Sequence, residues 1–245
     1  MRTLTANDAI RIWEKGHREL PAQRVLSLLA AACPEEGSDE LRRLTLGQCD
    51  DRLWEVRKRI FGSEINGFSE CQACGERLEF TLDTNDFRAS NPSSPADSEF
   101  ALESEGYTIR FRLLELEDLA VTASAGNVDL VRERLIERCI LEVRRGEEQT
   151  TVAELPEKVI AELGRRLAEF DSGSEVLVSL TCPACESSHE LPLDISSFFY
   201  MELSVQAQRL LREVHILASA YGWRESDILE LNPRRRQFYL EMLQS

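Results

Sequence analysis

Long apolar runs are missing from this chain: no stretch approaches the roughly 18 uninterrupted apolar residues that a membrane-crossing helix needs. The opening residues, Met1-Arg-Thr-Leu-Thr-Ala-Asn-Asp8, lack the apolar centre of a secretory leader. Histidine is scarce, with only His17, His189 and His215, and none falls in a nucleophile, metal-triad or phosphate-loop motif. Carboxylates are too many to single out an acid–base pair, so the expectation is a protein without enzymatic activity. Lysine is confined to Lys15, Lys58 and Lys158, a bias that implies no function. Positive charge is the largest deficit: 29 basic against 44 acidic residues leave a net −15 over 245 residues. Such a field repels phosphate backbones and anionic lipid, which disfavours nucleic acid and membrane surfaces as partners.

What is present is a globular composition, 42% apolar and 30% charged, sized for one large domain or two small ones. The seven cysteines are an odd number, and four of them form two Cys-x-x-Cys pairs. Without a leader, that usage predicts metal or redox chemistry in a reducing compartment, and so a cytoplasmic protein.

Residues 5–61 read as helices, with Thr5 or Asn7 as a first cap and Pro21 opening the helix that carries Val25, Leu28, Leu29 and Ala32. A further helix is predicted from about Asp50 to Phe61, stopping at Gly62. Asn91-Pro-Ser-Ser-Pro95 marks a linker at 88–98. Phe100-Ala-Leu and the alternating run Tyr107–Leu113 flank Ser104-Glu-Gly106 and predict a β-hairpin with one buried face. Helical patterns follow at 116–125, from Asn127 to Cys139, and from Pro156 through Val159, Leu163, Leu167 and Phe170. Residues 175–180 read as a strand. In the last quarter Phe199, Leu203, Ala207, Leu210, Val214, Leu217 and Tyr221 step by three or four residues, as on one face of a helix.

One internal repeat stands out. Cys71-Gln-Ala-Cys74 is followed at +5, +8, +9 and +13 by Glu79, Leu82, Asp83 and Phe87. Cys182-Pro-Ala-Cys185 is followed at the same offsets by Glu190, Leu193, Asp194 and Phe198. Four thiolates from two such turns complete the tetrahedron that zinc prefers, so Cys71, Cys74, Cys182 and Cys185 are the predicted ligands of one structural zinc per chain. The competing reading is two unrelated pairs, redox-active or simply buried. A redox pair usually opens a helix after a strand, whereas strand-like sequence follows both pairs here. Gly75 supplies the positive φ such a turn favours, but Glu186 occupies the equivalent place, at an expected strain of about 1–2 kcal/mol. His189 could substitute for a missing ligand but reads better as a solvated strand residue. Cys33, Cys49 and Cys139 fall in helical patterns and read as core.

Two features near the end face partners or the core. Arg234-Arg235-Arg236 is a basic cluster whose simplest reading is a solvated helix face. The segment from Trp223 to Leu243 gathers Ile228, Leu231, Phe238, Tyr239, Met242 and other large apolar residues, enough for its own core, a partner surface or both.

Taken together, Ile12-Trp13-Glu14, Ala22–Ala30, Leu46-Gly-Gln-Cys-Asp-Asp-Arg52, the two Cys pairs, Leu210–Trp223 and Ile228–Arg236 give a chain that resembles the zinc-ribbon-containing baseplate hub assembly chaperones of contractile phage tails and contractile injection systems. The resemblance implies a non-enzymatic assembly factor or component whose partners are baseplate hub, spike or tube-initiation proteins. The expected fold is α+β and mainly helical, a split zinc ribbon flanked by terminal helices. Its parts are an N-terminal helical region (1–70), the first ribbon half and linker (71–98), an inserted β-hairpin with helices (99–178), the second ribbon half (179–197) and a C-terminal helical region (198–245). The alternative is a zinc-ribbon nucleic-acid-binding or transcription adaptor, for which a basic stripe is expected and a net −15 is not.

Overall fold

A computed structural model describes residues 1–85, 98–122, 127–171 and 176–243. The expected linker at 88–97, Phe87 of the repeat, the end of the 116–125 helix beyond Thr122, and residue 175 lie outside them.

The N-terminal region is helical, as its periodicity predicts. Helix α1 (Ala6–Gly16) is capped reciprocally: Thr5 Oγ1 accepts from the Asp8 N–H at 3.1 Å, and Asp8 Oδ2 accepts from the Thr5 N–H at 2.9 Å. Helix α2 (Pro21–Ala32) carries its proline in the first turn, where the missing N–H is harmless. After the short α3 (Ser38–Arg42), helix α4 spans Leu46–Phe61 and ends at Gly62 with φ of 86°. The expected start near Asp50 is a turn too late. Thr45 and Gln48 form a capping box that moves the start back to Leu46.

The long helix α8 (Ile195–Tyr221) lies across this region, and Ile12, Leu28, Leu29, Leu53, Val56, Phe199 and Leu203 form one core. Contact between α1 and α8 depends on Gly16. A Cβ there would sit 2.3 Å from the Tyr200 ring, whose hydroxyl donates to the Trp13 carbonyl at 3.3 Å.

A second core lies on a four-stranded antiparallel sheet in the order β3 (Glu99–Ser104), β4 (Tyr107–Arg112), β5 (Ile140–Arg145) and β6 (Glu148–Gln149). The predicted hairpin is β3–β4, and its turn residues Glu105 and Gly106 both have positive φ (49° and 80°), which matches the right-handed twist of the strands. The sheet is larger than the predicted hairpin because Ile140–Arg145 pairs with β4 rather than continuing as a connection. Helices α6 (Val128–Cys139) and α7 (Glu157–Phe170) cover it through Ile136, Cys139, Val159, Leu163 and Leu167. Helix α5 (Leu116–Thr122) links the two cores. Its fully buried Asp118 accepts from Arg112 at 2.7 and 3.0 Å and from Arg138 at 2.6 Å. Asp171, just past α7, accepts from Thr45 Oγ1 at 3.2 Å and from the Gly47 N–H at 3.1 Å, so the second unit caps the first turn of α4.

Beyond α8 the chain folds back as α9 (Glu225–Glu230) and α10 (Pro233–Met242), with Val214, Leu217, Ile228 and Leu240 buried between them. No described helix is long and apolar enough to cross a membrane.

Candidate metal centre

Each Cys pair sits in the turn of its own hairpin. The first is β1 (Glu64–Glu70) with β2 (Arg77–Asp83), and the second is β7 (Val176–Thr181) with β8 (Ser188–Leu193). Strand β1 was not evident from the sequence, because Asn66 and Gly67 interrupt its alternation. Gly67 is needed there: a Cβ would come within 2.4 Å of the Phe80 ring opposite.

The two turns are the same structure. Strand pairing closes at Glu70 with Arg77 and at Thr181 with Ser188. In the first turn the Gly75 N–H donates to the Cys71 carbonyl and the Cys71 N–H to the Glu76 carbonyl, both at 2.8 Å. In the second, the Glu186 N–H donates to the Cys182 carbonyl and the Cys182 N–H to the Ser187 carbonyl, both at 2.9 Å. Gly75 has φ of 76° and Glu186 has φ of 59°, so the glutamate adopts the left-handed conformation its position demands. The likeness extends past the strands, where the Asn85 N–H donates to Asp83 Oδ1 at 2.8 Å and the Ser196 N–H to Asp194 Oδ1 at 2.9 Å. The second of these caps α8.

The two turns meet. The four sulfurs of Cys71, Cys74, Cys182 and Cys185 lie within 4.8 Å of one another. Cys71 Sγ is 3.6 Å from Cys185 Sγ, and Cys74 Sγ is 3.6 Å from Cys182 Sγ. All four are free thiols: Cys71 and Cys182 are buried, and Cys74 and Cys185 are exposed. Cys33, Cys49 and Cys139 are buried elsewhere as core residues, as their helical patterns predict.

Ser187 and His189 complete the immediate surroundings. Ser187 Oγ is 3.0 Å from Cys185 Sγ and 3.4 Å from Cys71 Sγ. His189 Nε2 is 3.0 Å from Cys71 Sγ and 3.0 Å from Ser187 Oγ. The expectation that His189 is merely a solvated strand residue is therefore corrected: cross-strand from Leu180, it is half-buried against the sulfurs. The Ser187 hydroxyl lowers the Cys71 thiol against the effect of burial, and with the Cys74 and Ala73 N–H groups and His189 brings it to about 5. Cys185 is lowered as well, again chiefly by Ser187. At Cys74 the Glu76 N–H favours the thiolate, but hydrogen bonds with Cys185 and Cys71 outweigh it and push the thiol up to about 12. Four sulfurs this close together are a donor set that could hold one metal ion.

Sequence reasoning missed the residue that ties the first hairpin down. Arg57 on α4 is 1% exposed. It donates to the carbonyls of Gly62 and Glu64, each at 2.9 Å, and to Glu202 of α8. No pattern in the sequence separates it from the half-buried Lys58 and the exposed Arg59 beside it. The terminal arginines also divide. Arg236 is buried and paired with Glu213 at 2.6 Å, whereas Arg234 and Arg235 are exposed, so the solvated-face reading holds for two of the three.

Among known proteins, the sequence pattern of a family described as T4 bacteriophage base plate protein matches residues 4–171. The match takes in the first Cys pair and ends before the second. No curated protein and no solved structure matches the chain.

Proposed function

The chain belongs to the T4 bacteriophage base plate protein family, and from that premise we propose that it is a non-enzymatic assembly factor or component of the baseplate hub in a contractile tail or tail-like injection system. It acts through protein–protein contacts with hub, spike or tube-initiation proteins during a cytoplasmic stage of assembly. The family match over residues 4–171 carries this reading.

In the same reading the two hairpins are the halves of one zinc ribbon, split by the intervening sheet and helices. Cys71, Cys74, Cys182 and Cys185 hold a single structural zinc. A zinc–sulfur distance of about 2.3 Å implies a tetrahedron edge of about 3.8 Å, close to the 3.6 Å of the two cross-hairpin contacts. Four protein sulfurs fill the coordination sphere, so zinc supplies folding free energy and no open position for substrate. The ion closes a loop of more than a hundred residues and fixes the first hairpin against the second.

The test is co-expression with the other baseplate proteins of the same tail. A stable complex with a hub, spike or tube-initiation protein is expected, and failure to bind any of them would overturn the assembly reading.

A further inference from the structure

The exposed face shared by α8 and α10 carries a pattern that the zinc site does not explain. Along α8, Met201, Val205, Arg209, Arg212 and Ile216 recur every three or four residues, which sets them on one side of the helix. All five are exposed, while Leu203, Ala207, Leu210, Val214 and Leu217 on the opposite side are buried. Helix α10 lies alongside. A groove of about 530 Å³ runs between the two, its lining including Arg209, Glu213, Arg234, Gln237, Phe238 and Glu241. The Phe238 side chain that lines it is 61% exposed, and on α8 Val205, which precedes the groove-lining Gln206, is 65% exposed.

The charge of this face is opposite to that of the protein: Arg209, Arg212, Arg234, Arg235 and Arg236 outnumber Glu213 and Glu241, and Glu241 accepts from Gln237 at 3.1 Å. Glu213 is taken up by Arg236 at 2.6 Å and Arg209 at 3.0 Å. Arg235 lies over the Tyr239 ring, 5.7 Å from its centroid. Arg212 and Arg234 have no carboxylate partner among the described residues. A chain of net charge −15 therefore presents unneutralised arginines beside exposed apolar side chains on one side of its C-terminal helices.

We infer that this face docks an acidic segment of another baseplate protein, with a large apolar side chain of that segment packing on Phe238 and Val205; the inference rests on the baseplate reading above. Aromatic and arginine side chains together are enriched where interfaces bury their strongest contacts. The acidic remainder of the surface repels an acidic partner, so attraction is confined to this face and fixes the orientation of docking. A second copy of the chain would bring like charge against like. Duplex nucleic acid would overrun the patch onto acidic surface.

The test uses the full chain, titrated against each separately purified baseplate protein of the same tail, at about 50 and about 300 mM salt. The variants are Phe238→Ser, the charge reversal Arg212→Glu with Arg234→Glu, and the control Val128→Ser, exposed on α6. Phe238, Arg212 and Arg234 point to solvent, so the melting temperature should hold in every variant. One baseplate protein is expected to bind, more weakly at the higher salt, with each C-terminal variant weakening it roughly tenfold or more and the control leaving it unchanged. Reversing acidic residues on that partner should restore binding to the charge-reversed chain. Binding that both C-terminal variants leave intact would overturn this assignment while the assembly reading stands. Binding to no baseplate protein would overturn both. Phe238-dependent self-association in sedimentation, or binding of duplex DNA lost in the charge reversal, would replace the acidic protein segment with a second copy or a nucleic acid.

Discussion

Arg57 and Glu202 form a two-pronged ion pair between α4 and α8, with Nε and Nη2 of the arginine donating to the two carboxylate oxygens at 2.8 and 2.7 Å. Its position matters more than its chemistry. The first Cys hairpin springs from the end of α4, and the second runs directly into the start of α8. The pair therefore clamps together the two helices from which the sulfur-bearing turns project, and the remaining donors of Arg57 hold the backbone at Gly62 and Glu64, where β1 begins.

Removing one partner of such a pair leaves a buried charge uncompensated, so Arg57→Met and Glu202→Leu should each lower unfolding free energy by about 3–5 kcal/mol. The double variant should lose clearly less than the two losses combined, since neither charge is then stranded. Denaturant unfolding of the four proteins measures this. Additive losses would show that the two side chains do not act as a unit.

Zinc is expected at one equivalent per chain by elemental analysis, and the double variant Cys182→Ser, Cys185→Ser should lose it. Because an ion held by all four cysteines would close the loop between the hairpins, a strong chelator should lower the melting temperature and open the segment 176–193 to protease. An unchanged melting temperature after verified removal of the metal would refute a structural role.

The duplicated turn supplies its own internal control. Glu186 holds φ of 59° where its counterpart is Gly75 at 76°. Glu186→Gly should therefore relieve strain and stabilise the protein by about 0.5–1 kcal/mol, while Gly75→Ala should destabilise it by about 1–2 kcal/mol. Equal effects of the two substitutions, judged by denaturant midpoints, would show that backbone strain does not distinguish the turns.

Much of this arrangement was legible in the sequence because it depends on local spacing. Cys-x-x-Cys with matched downstream residues announced two equivalent turns, and apolar steps of three and four announced α2, α7 and α8. The Tyr107–Leu113 alternation announced β4 for the same reason. What escaped were features set by contacts between distant residues. Strand β5 follows a helix without a turn signal and is defined by pairing with β4. Arg57 looks like its solvated neighbours until α8 covers it. His189 shares the inward face of β8 with Leu191 and Leu193, but its partner Cys71 comes from the other hairpin, which no local pattern announces. The α4 start was a different failure: the Thr45 and Gln48 capping signal was present, but the apolar pattern begins later.

The last expectation concerns pH. Asp50, in the second turn of α4, has its carboxyl pushed up to about 8, first by burial and then by Asp194, Asp171 and Asp51. Its value in the unfolded chain is about 3.9, so folding takes up a proton across the interval between the two. The contribution of Asp50 is fully present below about pH 4, declines as pH rises and is lost by about pH 8. Asp118 runs the other way. Burial alone would raise it, but the hydrogen bonds from Arg112, the Glu115 N–H and Arg138 hold it below the usual carboxylate range. Its contribution is present above the unfolded value and disappears as pH falls through the folded one. Asp50→Asn fixes the first carboxyl in a neutral form and leaves the second untouched. It should match the wild type near pH 4 and exceed it at pH 8 by an amount on the order of 1–3 kcal/mol. Asp171 is raised as well, burial outweighing the hydrogen bonds it accepts from Gly47 and Thr45 at the start of α4. Asp171→Asn relieves a buried charge at pH 8 but weakens that cap, so it should gain less there than Asp50→Asn. Calorimetric melting at both pH values separates the cases. An Asp50→Asn protein no more stable than the wild type at pH 8 would show that Asp50 is ionised in the fold and solvated at little cost.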